Sequence, residues 1–118
     1  MKYPYKFIEE PESSTYMELP EHIDTFAEFI SDISTVETAD DVLTYIDDVL
    51  SGTEDEIDLT GNAPTVIVRP ETSIAFNEFA LNSNEVQEME TVKFRKLVVI
   101  WKEHLIEERE ERRKKAKD

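Results

Sequence analysis

From Thr91 onward, Phe94, Leu97, Val98, Trp101 and Leu105 recur at intervals of three and four, the spacing that places side chains on one face of an α-helix. Val99, Ile100 and Ile106 widen that face, and beyond Ile106 the apolar stripe stops. The helix is expected to continue through charged residues: Glu108/Arg112, Glu110/Lys114 and Glu111/Lys115 are each four apart with the acid first, the favourable order. Basic residues also suit a helix C-terminus. A long helix that is apolar along one stripe has to bury that stripe against a second layer. This constrains the rest of the chain to supply such a layer.

The preceding residues offer both strands and helices. Residues 3–8 and 15–19 are rich in aromatic and β-compatible side chains around a Glu-Glu-Pro-Glu-Ser-Ser turn, which predicts a hairpin with Tyr5 and Phe7 on one face. Pro4 has no N–H to donate and belongs at a strand end or edge. Pro20 suits a first helical turn, and Ile23, Phe26, Ala27, Ile30 and Ile33 then form a stripe, with Glu21, Asp24, Glu28 and Asp32 on the wet side. A second helix is predicted with Thr38 as its cap, Asp41 completing an approximate capping box, Gly52 just past its end, and Val42, Ile46, Val49 and Leu50 as its stripe.

Residues 53–62 read as an acidic connection ending in a Gly-Asn turn. Strands are expected at 64–69 and 72–80 around Pro70-Glu71, then a turn at 81–84 and a short strand at 85–89. The order ββ, αα, ββ(β), α predicts an α+β domain: an antiparallel sheet of four to five strands with helices packed on it and a long C-terminal helix. At 118 residues the chain fits one domain, 1–118, with 109–118 a charged, solvent-exposed helical tail that contributes little to folding.

No residue set for chemistry emerges, and a non-enzymatic protein is expected. The absence of cysteine excludes disulfides, thiol catalysis and Cys-ligated metals. Residues 47–58 lack the alternating ligands and glycine of a calcium loop. His22 and His104 have no second ligand at metal spacing and read as surface or boundary residues. Ser13, Ser14, Ser31 and Ser73 lie in turns, caps or strands without a Gly-x-Ser-x-Gly motif, and no glycine-rich phosphate loop is present. Chance carboxylate pairs are expected in so acidic a chain and carry no signal for glycoside chemistry. Trp101, on its helical stripe, reads as core. No metal, cofactor or small-molecule ligand is expected. The N-terminus has no apolar signal segment, and the run 97–101 is too short to span a bilayer, so a cytoplasmic protein is expected.

Charge is the feature that remains. Residues 1–90 hold 22 acidic and three basic side chains, a net of −19, whereas 91–118 hold ten basic and six acidic, a net of +4. Between 37 and 58 there are nine acids and no Lys or Arg. Such a body repels nucleic acid and anionic membrane and attracts cationic proteins. Asp40, Asp41, Asp47, Asp48, Glu54, Asp55, Glu56 and Asp58 are the expected partner-binding face. Asp40/Asp41 and Asp47/Asp48, seven apart, are expected along one solvated helix face.

Gly61-Asn62, the strand 65–69, the strand 72–79 and the series Thr91…Phe94…Leu97…Trp101 resemble, in order and layout over residues 38–106, the small immunity proteins of bacterial polymorphic toxin systems. Tyr3-Pro4, Tyr16…Leu19-Pro20 and the acidic helix that follows resemble HicB-type antitoxins. Both resemblances imply a protein without an active site that masks a basic, nucleic-acid-cleaving partner. The expected function is therefore an immunity protein or antitoxin that occludes a cationic toxin, by preference a nuclease. The alternative is a phage-type nucleic-acid mimic that blocks a host DNA-binding or defence enzyme, which requires carboxylates spaced like phosphates along an elongated surface.

Overall fold

A computed structural model describes residues 3–10, 13–77 and 86–117. The architecture is α+β. Strands β1 (Lys6–Glu10) and β2 (Ser13–Glu18) form a hairpin, and a single 3-10 turn (Glu21–Ile23) leads into α1 (Asp24–Ser31) and α2 (Val36–Leu50). Strands β3 (Ile57–Thr60), β4 (Pro64–Val68), β5 (Thr72–Asn77) and β6 (Gln87–Glu90) then form an antiparallel meander in that order, and α3 (Thr91–Lys117) closes the chain. Among the described residues no helix is long and apolar enough to cross a membrane.

Register shows how the sheet makes its inner face. Leu59 lies opposite Val66, Val66 opposite Ala75, Ile57 opposite Val68, and Ser73 opposite Met89. Directly opposed residues share a face, and these are buried apart from the half-buried Ile57. They join one core with Phe26, Phe29 and Ile30 of α1, Val42, Ile46 and Val49 of α2, and Phe94, Leu97, Val98, Trp101 and Leu105 of α3. Pro64, with no N–H, sits at the first position of β4, where its missing donor costs least. The apolar stripes predicted for all three helices are buried, apart from Leu50 of α2 and the widening residues Val99, Ile100 and Ile106 of α3, which are half-buried against the core.

Three local expectations are corrected. Residues 57–60 are a strand and not part of an irregular connection: Ile57 and Leu59 alternate with Asp58 and Thr60, and pairing with β4 exploits that alternation. The cap of α2 is Thr35, whose side-chain oxygen accepts from Thr38 N at 3.0 Å, so the helix begins three residues before its predicted start and buries Val36 and Ala39 as well. Phe29 adds to the α1 stripe. Gly52 does end α2, at φ 85°, with its N–H donated to Val49 O. The turn expected at 81–84 and the end of the strand expected at 78–80 lie outside the described residues.

Two residues of α3, Thr91 and Trp101, anchor the helix by hydrogen bonds. Thr91 Oγ1 donates to Arg69 O and accepts from the buried Ser73 hydroxyl at 2.8 Å, while Thr91 N donates to Glu71 O, so the β4–β5 turn is fastened beneath the helix start. The Ser73 hydroxyl is thereby committed to a structural bond. Ten residues along α3, Trp101 Nε1 donates to the Ile33 carbonyl at 2.8 Å, in the connection between α1 and α2. The hairpin completes the cover: β2 packs on α1, Met17 N donates to Ser31 Oγ, and the Phe7 ring stacks on His104 with centroids 4.6 Å apart. Tyr5 and Phe7 share a face, as expected, and meet edge to face.

Trp101→Phe removes the indole donor and leaves the buried Ile33 carbonyl without its partner. Together with the lost ring volume this is expected to cost about 2–3 kcal/mol, read as a lower midpoint in urea unfolding. An unchanged midpoint would contradict the role assigned to this bond.

Candidate protein-binding groove

The acids of α2 fall on two flanks, and α3 decides which. Arg109 Nη1 lies 3.0 Å from Glu37 Oε1, Lys102 Nζ pairs with Asp40, and Arg95 grips Asp47 with two bonds, Nε–Oδ1 at 2.6 Å and Nη2–Oδ2 at 3.2 Å. The three bases stand seven residues apart on α3 and meet the acids in reverse order, as antiparallel helices require. The bond to Asp47 raises the Arg95 guanidinium above its ordinary value. Exposed pairs of this kind add little stability, but they cancel charge. Arg109 thus belongs to a tertiary contact and is not wholly part of a free tail.

The expectation of a single solvated face bearing Asp40, Asp41, Asp47 and Asp48 is therefore corrected. Adjacent helical residues point about 100° apart, and α3 lies along the flank that carries Asp40 and Asp47. Asp48 is half-buried near the helix end, where its main-chain carbonyl accepts from Glu54 N. Glu54 and Asp55 are exposed in the connection, and Glu56 is paired with Arg69 at 2.7 Å. Three of the eight expected contact residues, Asp40, Asp47 and Glu56, are thus neutralised by bases from elsewhere in the chain.

Asp41 and Asp58 meet a different environment. Both line an open groove of about 640 Å³ between α2 and β3, together with Asp32 from the end of α1. Its apolar wall comes from Phe29, Ile33, Val42 and Leu59, and its rim includes Thr38, Thr60 and Tyr45. Among the described residues, no Lys or Arg lines it. Among the described residues, no ion pair or side-chain hydrogen bond engages Asp41 or Asp58, and Asp32 Oδ2 accepts only a long bond, 3.3 Å, from Asn62 N. The β3–β4 turn closes one end. A Cβ on Gly61 would stand 3.1 Å from Asp32 Oδ2 and 3.4 Å from the Phe29 ring, so glycine permits this close approach.

Of the groove's lining residues the sequence pointed only to Asp41 and Asp58; Tyr45 and Asp32 are the most consequential of the others. Tyr45 is 46% exposed although large and partly apolar. Its signal was an aromatic residue lying off the buried stripe of α2. Asp32 was assigned only to the wet side of its helix, and it reaches the groove because the chain turns immediately after it. The histidines are elsewhere: His22 is exposed beside Tyr3, while His104 is mostly buried between Phe7 and Trp101. His104 Nε2 is 3.1 Å from Glu108 Oε1 but off the line of a hydrogen bond, and has no other partner among the described residues. No group of three or more His, Asp or Glu among the described residues is placed to hold a metal ion.

Comparison with protein-family models, curated proteins and solved structures found no match to this chain. The groove and its charge are what bear on function.

The Glu37 carboxyl is held below its ordinary 4.5, first by its own main-chain N–H and then by Arg109. A depressed carboxylate stabilises the fold above its unfolded value, and that contribution is lost as pH falls through the folded value. The Glu37–Arg109 contact is thus present above pH 4.5 and lost at more acid pH. By carboxyl-carbon NMR, Arg109→Ala is expected to raise the Glu37 midpoint while leaving it below 4.5, since the main-chain bond survives. Deleting 110–118 should leave it unmoved. A midpoint unaffected by Arg109→Ala would contradict the pairing.

Proposed function

We propose that the protein is an immunity protein or antitoxin that binds and occludes a cationic protein, a toxin and by preference a nuclease, through the groove between α2 and β3. One observation carries this reading: the acids on the α3 flank of α2 are cancelled internally, whereas Asp32, Asp41 and Asp58 line a concave surface with no base among its described lining residues. Concavity with partial apolar lining supplies area to bury, and the carboxylates supply attraction to Lys and Arg. The −19 of residues 1–90 adds a long-range field that steers a basic partner inward. No catalytic role is needed for such a function. A nucleic-acid mimic would keep its carboxylates unpaired along a phosphate-like track, and the internal pairing of Asp40, Asp47 and Glu56 gives that reading less support.

The partner to test is the product of the adjoining gene, since toxin and immunity genes lie side by side. Co-expression should relieve its toxicity, and the association rate by stopped flow should fall by about tenfold or more as salt rises from about 0.05 to 0.5 M. Asp41→Asn with Asp58→Asn should slow association at low salt, while Asp40→Asn with Asp47→Asn should change it much less. No binding, or a rate indifferent to salt and to Asp41 and Asp58, would overturn the proposal.

A further inference from the structure

We infer that the groove receives its partner as an added β-strand: an extended segment bearing alternate Lys or Arg pairs with the free edge of β3. This rests on the reading of the groove as the site for a basic partner and names the form in which that partner enters. Ile57, Asp58, Leu59 and Thr60 all line the groove. Successive residues of a strand point their side chains to opposite faces, so a cavity bordered by all four runs along the strand's edge. β4 occupies one edge of β3, and among the described residues β3 is the end of the sheet. The edge open to the groove is therefore the unpaired one, with main-chain donors and acceptors available to a second strand.

Charge selects the occupant. A second copy of this chain would bring another body of net charge −15, and its own Asp58, against the same edge. Such pairing is opposed by like charge. A basic strand meets the opposite situation: alternate side chains on one of its faces come to Asp58, and those on the other to Asp41 and Asp32 across the groove. Tyr45, exposed on the α2 wall, offers a ring face to a guanidinium. β3 is four residues long, so the matching segment is short, spanning about 13 Å.

The test uses the full chain and a synthetic heptapeptide, acetyl-Thr-Lys-Val-Arg-Val-Lys-Thr-amide, with two N-methylated forms of the same charge. One form carries methyl groups on the odd-numbered amides and the other on the even-numbered, so each blocks a different edge of the peptide strand. The parent should bind and slow hydrogen exchange of main-chain amides within 57–60. One methylated form should bind at least about tenfold more weakly, and the other should bind like the parent. If both methylated forms bind as well as the parent, or if poly-lysine binds and the parent does not, strand addition is overturned while the acidic groove remains the site. If neither the peptides nor poly-lysine binds, both readings fail.

Discussion

Trp101 binds together parts of the chain that are distant in sequence. Its indole N–H reaches the Ile33 carbonyl, 68 positions earlier, and its ring lies beside His104 and Phe7. The connection between α1 and α2 is thereby held against the middle of α3, and the hairpin is held over the same place. Because the anchored carbonyl lies just before Thr35 caps α2, the bond fixes where α2 starts relative to α3. From that point α2 runs antiparallel to α3, and every later contact between the two helices inherits this register. The bond's burial gives it leverage, since an abandoned buried carbonyl costs more than an exposed one.

The charge distribution follows from that register. With α2 placed antiparallel, Arg95, Lys102 and Arg109 meet Asp47, Asp40 and Glu37. The basic helix therefore does not dilute the acidity of the body evenly. It cancels one flank of α2 and leaves the other, where Asp41 lines the groove with Asp58 and Asp32. The groove on that side exists because β3 is short, ends the sheet, and turns at Gly61 close against Phe29 and Asp32. Fold and electrostatics thus concentrate unpaired carboxylates, an apolar wall and a free strand edge in one concave place.

Much of this architecture was legible in the chain. The stripes on α1 and α3 follow helical period so regularly that their buried residues, Phe29 excepted, could be named, and the Pro70-Glu71 turn declared two of the strands. β3 was obscured because the acidic run 54–56 precedes it without a break, although Ile57 and Leu59 already alternate with polar residues. The cap was misplaced because Thr35 and Thr38 are chemically equivalent, and only burial of Val36 and Ala39 distinguishes them. The division among the acids was not legible. Spacing shows that Asp40 and Asp47 share a flank and that Asp41 lies on another, but which flank meets α3 is a tertiary fact. The heptad spacing of Arg95, Lys102 and Arg109 was the available hint.

The pairing of α2 with α3 concentrates negative potential in the groove and not along the seam between the two helices. Two threonine methyls on α2 report the two sides: Thr38 lines the groove, and Thr44, between Asp40 and Asp47 in helical spacing, lies along the seam. The direct measurement is the ratio of NMR relaxation enhancements produced at each methyl by a cationic and by an anionic nitroxide cosolute. A clearly larger cation-to-anion ratio is expected at Thr38, and at Thr60 across the groove, than at Thr44. Equal ratios at Thr38 and Thr44, or a larger one at Thr44, would contradict it.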